Sequence, residues 1–94
     1  MEITGAIEIN TRGLYGKVVA YADVIFDKCI RIQFKILEDN KGNPYIAMPS
    51  RQSGPKMYED VVKIIETKGH GDNFLLNLVK TQVLEAYYKW NARQ

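Results

Sequence analysis

The chain has 94 residues, a formal net charge of +2, 46% hydrophobic residues and 26% charged ones, which together describe one soluble-type globular domain. So small a net charge neither requires nor excludes a nucleic-acid partner, because a local basic cluster matters more than the total. Cys29 is the only cysteine, which excludes an internal disulfide and a cysteine-built zinc site.

The elements follow in chain order. Residues Glu2 to Ile9 alternate, with Ile3, Ile7 and Ile9 on one face, and read as a first strand in which Gly5 marks a bulge. Asn10-Thr11-Arg12-Gly13 is turn chemistry, extended by Leu14 to Gly16. Lys17 to Phe26 form a second strand, with Val18, Ala20, Ala22, Val24 and Phe26 on one face and Lys17, Tyr21 and Asp23 on the other. Asp27-Lys28 is a two-residue break. From Cys29 to Leu37 the alternation is strict: Ile30, Ile32, Phe34 and Ile36 point one way, Arg31, Gln33 and Lys35 the other. The two runs and their short break predict a long β-hairpin, half-buried along its length.

Glu38 to Asn43 form a polar turn around Gly42, and Pro44 to Met48 a short fourth strand closed by Pro49. Arg51 to Lys56 read as a flexible polar loop. Met57 to Ile65 suit either a helix or a strand; their β-branched content favours a strand. Thr67 to Gly71 break the chain, and Asp72 is a good N-cap. From Asn73 to Trp90, apolar residues recur at three- and four-residue spacing through Leu75, Leu76, Val79, Val83, Ala86, Tyr87 and Trp90, predicting an amphipathic helix of about five turns. The expected fold is α+β: an antiparallel sheet of four or five strands, a long hairpin meander, followed by a C-terminal amphipathic helix, all in one domain over residues 1–94.

Catalytic chemistry is sparse. His70 is the one histidine, and no metal-ligand spacing is present. Lys68-Gly69-His70-Gly71 has the look of a phosphate-cradling loop at a helix start, yet a plain connector accounts for it as well. Cys29 lacks a nearby histidine to activate it, and Glu38-Asp39 reads as a solvated turn. No enzyme activity, metal, cofactor or small-molecule substrate is expected. Cations are the more useful feature: Arg31 and Lys35 on the polar face of the third strand, Arg51 and Lys56 in the following loop, and Lys68 before the helix. Side chains so placed can grip phosphates, though interspersed acids also fit an ordinary solvated surface. Exposed aromatics can stack bases but more often fill cores and interfaces; Tyr87, Tyr88 and Trp90 at the helix end are the candidate dimer interface. A domain this small buries only about 60–65% of its unfolded surface, so a second copy would add core. With no apolar run near the roughly 18–20 residues that span a bilayer, and no signal-type pattern in Met1-Glu2-Ile3-Thr4, a cytoplasmic location without membrane contact is expected.

One stretch carries a family resemblance. Ile46-Ala47-Met48-Pro49-Ser50-Arg51, preceded by a hairpin and followed by a glycine-containing loop and Tyr58-Glu59-Asp60-Val61, resembles the SpoVG family (stage V sporulation protein G). Asp60 stands ten residues after Ser50, the spacing of that family's aromatic-x-Asp element. Met1 to Thr4, the Asn10 to Gly13 turn, Asp27 at the hairpin tip and Val83 to Tyr87 are also similar, so the likeness runs along nearly the whole chain. Departures include Gln52 in place of a second basic residue and Lys63-Ile64 in place of a His-Pro pair. The resemblance implies a homodimeric bacterial DNA-binding regulator, with RNA binding in some members, linked to septation, sporulation and gene control. It carries over Arg51 and Lys68 as contacts; Lys56, Arg31 and Lys35 come from the charge reading alone. The alternative is a protein-interaction module in division or regulation that never touches nucleic acid.

Overall fold

The structure, a computed structural model, describes residues 2–55, 57–61 and 74–93. Strands β1 (Glu8–Asn10), β2 (Val18–Phe26), β3 (Ile30–Glu38) and β4 (Pro44–Ala47) form one antiparallel sheet in the order β1-β2-β3-β4. A separate antiparallel ribbon joins β5 (Ser50–Gly54) to β6 (Met57–Asp60), and α1 (Phe74–Asn91) closes the chain.

The hairpin of β2 and β3 is the frame. Its tip is the three residues Asp27, Lys28 and Cys29 between the paired Phe26 and Ile30; Asp27 and Lys28 both take positive φ, 52° and 62°, and the Cys29 amide donates to the Phe26 carbonyl at 3.1 Å. This backbone matches strand twist but is uncomfortable for side-chain-bearing residues. The N-terminal segment holds it in place. The Glu2 amide donates to Asp27 Oδ1 at 2.8 Å, the Asp27 amide to the Glu2 carbonyl at 2.8 Å, and the Lys28 amide to Thr4 Oγ1 at 2.9 Å. An isolated bridge pairs Ile3 with Phe26. Between that bridge and the Glu8–Asp23 pair, four residues (4–7) face two (24 and 25). The surplus is taken up around Gly5, which sits at φ 77°. The first strand, expected over Glu2 to Ile9, is therefore shorter: β1 covers Glu8–Asn10, and before the glycine only the bridge at Ile3 remains.

Alternation sends Ala20, Ala22, Val24, Phe26, Phe34 and Ile36 to one face, where they join Val79, Val83 and Tyr87 of α1 in a single core. Ala20 and Ala22 keep the middle of the face low for the helix, and Phe26 meets Phe34 edge-on, ring centroids 6.5 Å apart. Each large side chain so buried contributes roughly 1.5–3 kcal/mol. The spacing of Val79, Val83 and Tyr87 is the 3.6-residue period of a one-sided helix.

Two expectations change. Residues 51–54, read as a flexible loop, belong to β5, whose partner is β6. The run Arg-Gln-Ser-Gly carries no apolar period, so its sequence did not announce a strand; backbone pairing with β6 is what shows one. The strand expected over Met57–Ile65 is present as Met57–Asp60; the segment beyond Val61 lies outside the described residues, as do the breaker and the Asp72 cap. The expected helix, Asn73 to Trp90, is found as Phe74–Asn91.

Candidate nucleic-acid interface

The helix covers one face of the four-stranded sheet, so the register defines what the other face presents. Directly opposed residues share a face. One row runs Asn10, Tyr21, Lys35, Ala47; the next runs Glu8, Asp23, Gln33; Ile25 stands opposite Arg31, and Leu37 opposite Tyr45. Arg31, Gln33 and Lys35 therefore stand in line on β3, with Arg31 and Lys35 ~13 Å apart at the usual strand rise.

Beside this polar row, on β2, two residues are buried that alternation put on the face away from the core. Tyr21 is 6% exposed and Asp23 8%. The Tyr21 hydroxyl donates to the Gly13 carbonyl at 3.0 Å, so the loop between β1 and β2 folds over the ring. Burial, with a smaller contribution from Tyr15, raises its pKa above the ordinary 10.0. Among the described residues Asp23 has no cationic partner. Its Oδ1 accepts from Gln33 Nε2 at 3.2 Å and its Oδ2 from Asn10 Nδ2 at 3.3 Å. Asn10 in turn accepts the Arg12 amide through Oδ1 at 3.3 Å, which shapes the turn after β1. Sequence reading missed this network. The available signal was a lone carboxylate in the middle of the otherwise uncharged run Val18–Phe26.

The candidate cations are placed as follows. Arg31 is exposed, and among the described residues it has no ion-pair partner. Lys35 is half-buried and its Nζ donates to Ser50 Oγ, which ties β3 to the start of β5. Arg51 lies on β5 opposite Glu59; its side chain is outside the described part of the structure. Lys56 and Lys68 lie outside the described residues altogether. The structure thus brings Arg31 and Lys35 to one face. That face also holds Glu8 and Asp23, so its formal charge balances.

The aromatic trio at the helix end divides. Tyr87 is 8% exposed and belongs to the core, and Trp90 packs against that core with its ring stacked on Tyr87 at 5.9 Å. Burial first, then Glu38 and Tyr88, raises the Tyr87 phenol above 10.0. Tyr88 alone is open, at 55% exposure. Ile7, Ile9, Ala86 and Trp90 line a groove of about 570 Å³ between β1 and α1. Beside it, Lys89 meets Glu85 at 3.1 Å in an exposed pair that contributes little to stability.

Other residues singled out in the sequence have structural uses. Asp39 Oδ1 accepts the Lys41 and Asn43 amides, each at 2.9 Å, and these hydrogen bonds, that from Asn43 first, lower its pKa below the usual 3.8. Cys29 is exposed beside the hairpin tip. Among the described residues no group of three His, Cys, Asp or Glu side chains comes together to hold a metal. No helix among them is long and apolar enough to cross a membrane.

These features define a small α+β domain of the sheet-plus-helix kind, with the helix packed on one sheet face and exposed Arg31 and Gln33 on the other. The SpoVG family matches residues 1–89 of the 94-residue chain, and the chain belongs to that family. Membership points to a regulator linked to sporulation or septation. No curated protein and no solved structure matches the chain.

Proposed function

We propose that the chain is a nucleic-acid-binding regulator that works as a homodimer in the cytoplasm, a binding protein rather than an enzyme. The observation that carries this reading is the pair Arg31 and Lys35, presented from one strand on the face opposite the helix. Neither has a carboxylate partner among the described residues. Two such side chains contact two phosphates while the rigid hairpin fixes their separation. Arg51, Lys56 and Lys68 complete the grip in this reading. Tyr88, the open member of the aromatic trio, is the contact through which two helix ends meet.

A salt-dependent titration against duplex DNA and single-stranded RNA tests it. Affinity is expected to fall with added salt, with a log-log slope of roughly −0.7 to −0.9 per phosphate neutralised. Arg31→Ala with Lys35→Ala is expected to flatten that slope by roughly two phosphates. Unchanged affinity in the double variant at low salt would remove the assignment. The balanced charge of the face, Arg31 and Lys35 against Glu8 and Asp23, favours a second reading as a protein-interaction module. That reading expects no binding to either nucleic acid and a protein partner lost on substitution of the same face.

A further inference from the structure

Gln33 lies midway between Arg31 and Lys35 on the open face and is itself exposed. Its amide is not free to turn. Its cross-strand neighbour Asp23 is a carboxylate, and a carboxylate only accepts hydrogen bonds. Gln33 must therefore aim its NH₂ group at Asp23 Oδ1, 3.2 Å away. Asn10 makes the same commitment to Oδ2, so both carboxylate oxygens are occupied. With its amide fixed this way, Gln33 keeps its carbonyl oxygen, an acceptor held between two cations, and the second hydrogen of its NH₂ group.

The width of the face limits what can lie on it. Four strands at about 4.8 Å spacing span about 14 Å before side chains are added. A duplex major groove is about 12 Å wide, so this face does not enter one. A strand whose bases are splayed out can lie across it.

We propose that the open face binds single-stranded nucleic acid, that Gln33 Oε1 accepts a hydrogen bond from an exocyclic amino group of a base, and that Asp23 is the positioning residue that fixes the amide for this task. The inference rests on the nucleic-acid reading above and adds to it a ligand form, a reading atom and a preference. Arg31 and Lys35 hold the phosphates on either side. Tyr45, 46% exposed at the β4 edge of the same face, offers a ring for stacking.

The test compares two single-stranded DNA probes by fluorescence anisotropy at low salt: an adenine homopolymer, and the same strand with purine, which lacks the amino group, in place of adenine. The wild-type protein is expected to favour the adenine strand by roughly three- to tenfold, the effect of one hydrogen bond. Gln33→Ala, at an exposed position that leaves the core untouched, is expected to remove the preference. In Asp23→Asn the new amide both donates and accepts, so Gln33 turns freely. The preference is expected to collapse while affinity for the purine strand holds or rises, because a negative charge is lost. A merely structural role for Asp23 would weaken both strands together. Equal binding of the two strands by the wild type overturns the inference and leaves the regulator reading standing. A preference that survives in either variant also overturns it. Absence of binding to either single strand overturns this inference, and the regulator reading falls with it only if duplex DNA and single-stranded RNA are not bound either.

Discussion

The two faces of the four-stranded sheet are built from alternate residues of the same strands and stabilised in different ways. On the helix side, Ala22, Val24, Phe34 and Ile36 have no exposed surface and meet Val79 and Val83. Burial of this kind is non-directional and proportional to area. On the open side, Tyr21 and Asp23 are nearly as buried, yet a carbonyl and two amides satisfy them. That arrangement is directional and depends on every partner. The lesson is that a half-buried strand here carries two codes, one for volume and one for hydrogen bonding, in alternate positions.

The harshest way to break the comparison is Phe34→Ala. It removes a fully buried ring from the helix-side core and is expected to cost about 3–5 kcal/mol, a large share of the roughly 5–15 kcal/mol typical of a domain. Urea unfolding measures it. Asp23→Ala probes the other face. It leaves the Asn10 and Gln33 amides without their acceptor and is expected to cost about 1–2 kcal/mol, because Gln33 can turn to water. If the two substitutions cost the same, the faces do not differ in the way described.

Substitutions in the turns sharpen the contrast, since they belong to neither face. Lys28→Gly relieves a side-chain-bearing residue at φ 62° and is expected to stabilise the protein by roughly 0.5–1 kcal/mol in thermal unfolding. Asp27 should stay, because its carboxylate accepts the Glu2 amide. The smallest effect is acid loosening of the turn after β3. The Asp39 pKa is lowered in the folded state, so its contribution is present above the unfolded value of 3.8 and is lost as pH falls through the lower folded value. Amide exchange at Lys41 and Asn43 should quicken in that window and be fast at neutral pH in Asp39→Ala.

Much of this architecture was legible in the residues. The strict alternation from Ile30 to Ile36 gave β3 and its two faces, and the Val79-Val83-Tyr87 spacing gave the buried stripe of α1. What escaped was whatever depends on partners distant in sequence. The β5–β6 ribbon pairs Ser50 with Asp60 and Gln52 with Tyr58, and its run Arg-Gln-Ser-Gly bears no periodic mark that would announce this. Tyr21 is covered by a loop and Asp23 by a neighbouring strand, and neither cover leaves a sign at the residue itself. At the site, Arg31 and Lys35 could be placed together because they share a strand. Gln33 was set on that same face, but its hydrogen bond to Asp23 on the neighbouring strand could not be read from β3 alone.

The strand order β1-β2-β3-β4 also has a kinetic consequence. Every neighbour in the sheet is the next strand along the chain, so pairing can zip outward from the central hairpin through short loop closures. Among the described residues, the arrival of α1 on the sheet, where it meets β1 and β2, spans the longest stretch of polypeptide. Such a chain is expected to fold quickly for its β content, with α1 docking late, so that trimming Val79 hastens unfolding more than it delays refolding.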